Sequence, residues 1–571
     1  MRRKKAVTLL VTAGLCAALA AGCGGSGKTN TTTAGKGNAA GEATGESQVF
    51  RFSFPSAVVG LNPIMNSSAP DNRSHNLMYE SLVADRANEK NEAQIYPGAA
   101  SSWEISEDGM TYTFHMREGA VWNDGVPVTA RDFEYTFKKM ADPAAGSTNA
   151  WLFDGVIENF SEALYSKGKT PEDIGVKSLD DMTLEIKLTH PAGYFPDLLD
   201  GAKPIRQDKY EEYGDSYGST PEKTVVNGPF IIESWDQNTQ MTLVRNESYW
   251  NADNIKLDKL EMKVLDGPTA AQAYMNGDLD VLIPTDANWI NLLTQDGTSV
   301  IQKVTGDAPE FLTFNCSNPY FKNPKVRLAF SLAIDREAFV RDLRDGIDDP
   351  IYSMIPDYTK VNEKTYTELV GGENQLIQIL QKQYPDPKAL LIEGLKELGM
   401  DEDPSKVQVN YASRGTTELS KKMAEWLQQQ WRETLGVTVG IDMMDWNIMW
   451  DKVDAGEYDI ATGGWGPYYS EPSALLGVYE PDSGFFNSKK TSWTDGDSKR
   501  FGELLAEAKM CNDEQKKAEL YLEAEKLLVG TGVIAPTYLP ASTIFLKDYV
   551  KGYYATATSQ TEYSSIYIEG K

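Results

Sequence analysis

The first 29 residues of the chain contain a motif that would fix its fold if the surrounding sequence allowed it. Residues 22–29, which read GCGGSGKT, satisfy the phosphate-binding pattern G-x-x-x-x-G-K-[ST] at every position. Such a loop needs a buried strand before its glycines and a helix after them, so that backbone N–H groups point at the phosphates. Residues 24–47 are mostly Gly, Ser, Thr, Asn, Ala and Lys, which cannot form a helix packed against a sheet. The motif therefore does not predict a nucleotide site.

The segment before this motif is typical of a secretory signal peptide. Basic residues from Arg2 to Lys5 precede an apolar run over residues 6–18, and small residues follow it. The run is shorter than the roughly 20 residues that a membrane-spanning helix needs. Residues 19–23, LAAGC, resemble the bacterial lipobox, in which diacylglycerol alkylates the cysteine; Ala20 stands where Leu is usual.

These features predict how the N-terminal segment is arranged. We expect residues 1–22 to be a signal peptide that is removed, and residues 23–46 to be a flexible tether. Cys23 is the expected lipidation site, and its acyl chains would hold the protein in the membrane. The predicted location is therefore the outer face of the cytoplasmic membrane, on the extracellular side.

Composition limits the remaining partners and chemistries. The 571-residue chain is too long for one hydrophobic core and has a net charge of −28, so nucleic acid is not a predicted partner. It contains no H-E-x-x-H or C-x-x-C motif, and its histidines are far apart in sequence. We therefore predict no catalytic site, cofactor or metal site. A disulfide between Cys316 and Cys511 is left open.

Hydrophobic periodicity predicts a mixed α/β chain. Polar and apolar residues alternate over 111–116 and 182–188, as expected for half-buried strands. Amphipathic helical patterns interleave with and follow these strands, over residues 130–140, 326–343, 418–435 and 499–528. Short strands interleaved with helices over this length favour separate α/β lobes.

Three sequence blocks carry a resemblance to a known family. They comprise residues 96–114 with 117–119 and 122–133; residues 227–230, Trp235 and 245–250; and residues 319–321, 326–327 and 333–336. In this order and spacing they resemble the family 5 extracellular solute-binding proteins, the peptide and nickel class that serves ABC importers. The resemblance extends from about residue 47 to residue 571.

The resemblance implies a two-lobed, periplasmic-binding-protein-like fold of type II, cluster C, with a hinge and an inserted subdomain. The implied segments are lobe I, residues 47–80, 218–307 and 541–571; subdomain II, residues 81–217; and lobe III, residues 308–540. The implied function is that of a monomeric receptor that captures an oligopeptide-like solute between the lobes. It would deliver this solute to permease subunits that work with a separate ATPase.

The resemblance also implies where the solute binds. Relatives that bind peptides pair the ligand's amino terminus with an Asp in the motif G-W-x-x-D-Y-x-[DE]-P. The matching segment here begins at Gly464 and Trp465 and ends at Glu471 and Pro472, with Tyr468 in place of the Asp. Glu471 or another carboxylate could take over the pairing, the peptide could have a blocked or differently placed amino group, or the ligand could be a non-peptide such as an oligosaccharide. Nickel or haem is disfavoured by the few histidines.

Further ligand-binding candidates come from matching positions elsewhere in the chain. They are the loop residues Asn66, Ser67, Ser68 and Ala69, and the aromatic residues Trp446 and Phe311. Core packing is the alternative for Trp446, Phe311 and Trp465. A surface-anchored hydrolase and an adhesion or signalling lipoprotein are the alternative functions.

Overall fold

The computed structural model describes residues 47–66, 68–481, 483, 486, 488–556 and 561–571. The predicted signal peptide, the tether, the lipidation site Cys23 and the candidate Ser67 lie outside these ranges. A search of the described helices finds none that combines the length and the apolar character needed to cross a membrane.

The N-terminal strand lies in a four-stranded sheet built from distant parts of the sequence. The strand order is Val49–Phe54, Lys259–Val264, Gln240–Arg245 and Phe230–Asp236, and the first two strands are parallel. Phe50, Phe52 and Phe54 alternate into the core, as the period of two in a strand requires. A neighbouring three-stranded sheet has the order Val281–Leu282, Ala541–Lys547 and Ser299–Thr305.

A second four-stranded sheet lies within the segment predicted as subdomain II. Its order is Ala100–Ile105, Thr111–Met116, Thr183–Lys187 and Val176–Ser178, which confirms both predicted strands to within a residue at each end. The predicted helix is confirmed as Ala130–Ala141, where Thr129 and Asp132 form a capping box. Buried residues of this sheet and of the N-terminal sheet belong to one continuous hydrophobic core.

Residues 311–538 enclose a separate core around a six-stranded sheet. Its order is Asp349–Pro350, Ile534–Leu539, Glu310–Phe314, Ile460–Gly464, Gln408–Arg414 and Thr438–Met444. The last three strands are parallel, so their carboxyl ends meet at one edge of the sheet. In open α/β sheets this edge is where ligands usually bind.

Two of the predicted helices are interrupted. The pattern over 326–343 forms helices Pro324–Leu332 and Arg336–Leu343, because the Asp335 side chain accepts the Ala338 N–H and starts a new helix. The pattern over 499–528 forms Gly496–Lys509 and Glu514–Gly530, with Asp513 capping the second. The 418–435 pattern is confirmed as helix Glu418–Thr434.

The remaining elements are short and surround these sheets. The remaining α-helices are Ala69–Met78, Phe160–Leu164, Phe195–Leu198, Gln207–Tyr213, Gly267–Met275, Ala287–Asp296, Tyr366–Leu369, Leu376–Gln383, Pro387–Glu397, Trp446–Ala455, Ser473–Leu476 and Ser488–Thr491. The remaining strands form pairs: Val83–Ala87 with Ala93–Pro97, Lys360–Val361 with Lys364–Thr365, and Val550–Lys551 with Tyr567–Ile568.

The chain passes between the two cores at two adjacent points. One passage joins strand Ser299–Thr305 to strand Glu310–Phe314, and the other joins Ile534–Leu539 to Ala541–Lys547. The Gly306 N–H donates to the Pro540 carbonyl at 2.6 Å, which ties the two passages together. These passages are candidates for the predicted hinge, and the exact lobe boundaries remain a prediction.

One glycine near the core of lobe III allows a sharp test of the packing. Gly532 has φ +69°, and a Cβ there would lie 2.7 Å from the Leu328 nitrogen. We expect Gly532→Ala to lower the free energy of unfolding by about 2 kcal/mol or more, because it adds backbone strain to a backbone clash. Urea unfolding followed by tryptophan fluorescence measures the change.

Gly530→Ala is the matched control. Gly530 ends the helix Glu514–Gly530, and a Cβ there would meet nothing within 4 Å. We expect this variant to change stability by less than about 1 kcal/mol. Equal stabilities for the two variants would contradict the packing described at Gly532.

Candidate ligand-binding site

A cavity of about 290 Å³, here called the interlobe pocket, lies between the two cores. Subdomain II contributes Trp151, His190, Pro191 and Tyr194 to its walls. The lobe III residues that line it include Trp465, Tyr468, Tyr469, Glu471, Glu480, Lys509, Lys517 and Tyr521. The pocket thus combines three of the predicted site residues with side chains from the opposite lobe.

Direct contacts between the lobes close one side of the interlobe pocket. The rings of Tyr194 and Tyr469 stack with centroids 4.0 Å apart. The Ser470 N–H donates to Asp197 at 2.8 Å, and burial raises the pKa of Asp197 to about 6. Asn512 donates to the Asp108 carbonyl at 3.0 Å. These contacts show that subdomain II and lobe III touch directly beside the pocket.

The predicted motif forms the lobe III wall. Gly464 ends the strand Ile460–Gly464 opposite Glu310, and the Trp465 N–H donates to the Pro309 carbonyl at 3.3 Å. The Trp465 indole N–H donates to the Ala474 carbonyl at 3.0 Å, which fixes the orientation of its half-buried ring. The start of the motif is therefore attached to the passage between the lobes.

Tyr468 projects from this wall into the pocket with 51% of its surface exposed. Its ring centroid lies 4.4 Å from that of Trp151, in an edge-to-face arrangement, and 5.9 Å from that of Trp465. Partial burial raises the pKa of the Tyr468 phenol, so this group stays neutral at physiological pH. Tyr468 therefore offers the solute an aromatic surface and a hydroxyl group but no charge.

Glu471 is buried and already has a cationic partner. Its carboxylate lies 3.0 Å from the Lys517 ammonium, and both side chains are only 3% exposed. Tyr521 donates to the same carboxylate at 3.0 Å and Ser473 at 2.6 Å. The charge of Glu471 is therefore already offset by Lys517 before any ligand amine binds.

His190 brings a neutral imidazole to the opposite wall. Its Nδ1 lies 2.8 Å from the Thr189 hydroxyl and its Nε2 lies 3.0 Å from the Tyr194 hydroxyl. Burial, together with the positive charges of Lys509 and Lys517, lowers the pKa of His190 to about 3. This side of the pocket therefore opposes positive charge.

The predicted loop candidates lie elsewhere, at the start of helix Ala69–Met78. Ser68 caps this helix, and its N–H and hydroxyl both donate to Asp71, so they are used within the protein. Ala69 is the exposed first residue of the helix, and the Asn66 side chain lies over Gly60. None of these described residues lines the interlobe pocket.

The two remaining aromatic candidates have different surroundings. Trp446 is half-exposed beside the carboxyl edge of the six-stranded sheet, with the Arg414 guanidinium 5.0 Å from its ring. Phe311 is 1% exposed and packs against Tyr479 and Phe486 within the lobe III core. Its prediction as a ligand-facing residue is corrected accordingly, since this side chain supports the sheet.

Sequence reasoning missed the pocket residues Trp151, His190, Tyr194, Lys517 and Tyr521. The first three lie in subdomain II, and nothing local connects them to the motif at 464–472. Lys517 and Tyr521 could have been found from the sequence, because they are four residues apart and lie on the buried face of helix Glu514–Gly530. A lysine on such a face indicates a buried ionic partner.

The described residues offer no cluster of three or more His, Cys, Asp or Glu side chains that could hold a metal ion. Cys316 and Cys511 are both free thiols in this structure.

A pocket between two α/β lobes that are joined by paired chain passages defines the class of solute-binding proteins. Residues 94–487 match the family described as bacterial extracellular solute-binding proteins, family 5 middle. The chain belongs to this family, and the predicted α/β class and two-lobed fold are confirmed with it.

Proteins similar to this chain include several that are named as peptide-binding proteins. It is 30% identical to the dipeptide-binding protein DppE of Bacillus subtilis (strain 168), over 80% of this chain and 81% of DppE. It is also 30% identical to the periplasmic oligopeptide-binding protein OppA of Salmonella typhimurium, over 90% of each chain. The solved structure of the periplasmic murein tripeptide-binding protein MppA, in its unliganded open form, superposes with a TM-score of 0.74 at 25% identity, covering 92% of this chain and 98% of MppA.

The electrostatics of the interlobe pocket can be tested on His190. We expect Lys509→Met to raise the pKa of His190, because it removes a positive charge that disfavours the imidazolium. The control is Lys516→Met, which removes a lysine that faces Glu507 and does not line the pocket. NMR titration of the histidine side chains measures both variants; an unchanged His190 titration in Lys509→Met would contradict the prediction.

Proposed function

We propose that this protein is the receptor of an ABC importer and captures an oligopeptide-like solute in the interlobe pocket. Relatives that cover most of its length are named as dipeptide- and oligopeptide-binding proteins, which supports a solute of this class. The observation that carries the proposal is that both lobes contribute side chains to one pocket. A solute bound there contacts both lobes and stabilises their closed arrangement.

The chemistry of the pocket supports binding without catalysis. Its polar groups are engaged with one another: Glu471 pairs with Lys517, and His190 contacts Thr189 and Tyr194. A hydrolase would need a nucleophile and a base aligned on a common reacting atom. We therefore propose that the protein is not an enzyme and that its work is to bind and release the solute.

The proposed partners follow from this role. Permease subunits would accept the solute from the closed receptor, and a separate ATPase would supply the energy. The receptor would act as a monomer, held by lipid on Cys23 at the outer face of the cytoplasmic membrane. The basic and apolar leader and the LAAGC sequence support this location.

Native mass spectrometry tests the proposed solute class. The purified protein is incubated with a pool of short peptides and, separately, with a pool of oligosaccharides, and the mass of the complex identifies what is retained. We expect retention of peptides alone. Selective retention of oligosaccharides would overturn the proposal, because the aromatic surfaces of Trp151 and Tyr468 would then serve sugar stacking.

Trp151 provides a test of the binding location. Its side chain is 45% exposed and forms an aromatic wall with Tyr468. We expect Trp151→Ala to weaken binding of a retained peptide by about 1–3 kcal/mol, because aromatic anchors dominate such interfaces. Isothermal titration calorimetry measures the change, and Tyr165→Ala, which removes a comparably exposed aromatic ring of the same subdomain outside the pocket, should leave affinity unchanged.

Cys23 provides a test of the membrane anchor. We expect Cys23→Ala to abolish incorporation of labelled palmitate and to release the protein from the membrane fraction, because no other thiol lies at the expected cleavage site. Cys16→Ala, within the predicted signal peptide, is the control and should keep both label and membrane association. Persistent labelling of Cys23→Ala would contradict lipidation at this residue.

A further inference from the structure

The interlobe pocket contains charged groups whose balance restricts the solute it can hold. Two glutamates, Glu471 and Glu480, and two lysines, Lys509 and Lys517, line it, so their formal charges cancel. An ammonium group brought into a pocket of zero net charge would lose its hydration without gaining an uncompensated carboxylate.

Glu471 is the buried carboxylate of the pocket, and both of its oxygens already accept hydrogen bonds. One oxygen faces the Lys517 ammonium, and the other accepts hydrogen bonds from Tyr521 and Ser473. A ligand amine that displaced Lys517 would leave a buried ammonium without its partner, which is strongly unfavourable. The Glu471–Lys517 ion pair therefore stabilises the pocket wall and does not serve to bind a ligand amine.

The lysines also shape the opposite side of the pocket. Lys509 and Lys517 both oppose protonation of His190, although that ring has hydroxyl groups on either side. A ligand cation beside His190 would face Lys509 above all, because the charge of Lys517 is already offset by Glu471 at 3.0 Å. Glu480 is exposed and is itself engaged in an interaction, and it is the other carboxylate of the pocket that could compete for a ligand amine.

The rings of Trp151 and Tyr468 form an aromatic wall that can bind an uncharged group. Trp151 and Tyr468 are both about half-exposed and meet edge to face. This surface can pack against the methyl or methylene groups of an acyl cap, and the Tyr468 hydroxyl can bond an amide. Cation–π attraction to the same rings is the competing mode for an amine, but the nearby lysines oppose it.

We propose that the interlobe pocket selects peptides whose amino terminus is acylated or otherwise uncharged. This inference rests on the proposed function, because it assumes that a peptide occupies the pocket. The selection follows from three observations: the closed Glu471–Lys517 pair, the positive charge around His190, and the neutral aromatic wall at Tyr468.

Calorimetry with paired peptides tests the inference. The full-length protein is titrated with peptides of identical sequence that carry either a free or an acetylated amino terminus. We expect the acetylated member of each pair to bind at least about ten-fold more tightly, because its cap is buried without desolvating a charge. Equal affinity, or tighter binding of the free amine, would overturn the inference while leaving the proposed function intact.

Two variants of Tyr468 separate charge from shape. Tyr468→Asp introduces a carboxylate beside Trp151 and should reduce or reverse the preference for the acetylated peptide. Tyr468→Asn removes the same ring and has nearly the shape of Asp without its charge, so it should keep the preference. Both replace a half-exposed side chain, and thermal melting checks that both variants fold.

If Glu480→Gln selectively abolishes binding of the free-amine peptide, Glu480 is its partner and the inference is overturned. If neither member of any pair binds the wild-type protein, the proposed function fails, and the inference fails with it.

Discussion

Two neighbouring passages of the chain are the constraint on which the rest of the molecule depends. Because one passage leads from strand Ser299–Thr305 into the six-stranded sheet and the other leads out of Ile534–Leu539, each core is closed by segments remote in sequence. The hydrogen bond from Gly306 to Pro540 holds the passages together. A pocket formed by both lobes is possible because these links place the two cores side by side without merging them.

Much of the secondary structure could be predicted from local sequence patterns. Alternation identified the strand Thr111–Met116, and helical periodicity with an N-terminal hydroxyl identified the helix Ala130–Ala141. The predictions failed where a short polar side chain outweighed periodicity, as at Asp335 and Asp513, which each cap a new helix inside an amphipathic pattern. The six-stranded sheet could not be ordered from the sequence, because strands such as Glu310–Phe314 and Ile534–Leu539 pair across more than two hundred residues.

The candidate site was only half predictable for the same reason. The motif at 464–472 located Trp465, Tyr468 and Glu471, which share one wall, but nothing in it indicated that Lys517 neutralises Glu471. A buried charged residue indicates that an oppositely charged partner is present, but which residue is the partner depends on the fold. The chemical character of the pocket thus came from pairings that only the structure reveals.

The hydrogen bond from the Trp465 N–H to the Pro309 carbonyl connects the pocket wall directly to one of the chain passages between the lobes. Trp465 lines the interlobe pocket, and Pro309 lies in the first chain passage between the lobes, which is a candidate for the hinge. A change in the backbone torsion angles of this passage would therefore also shift the wall that contacts the solute. The pocket wall and the passage are separated by one hydrogen bond, so a movement of either would be transmitted directly to the other.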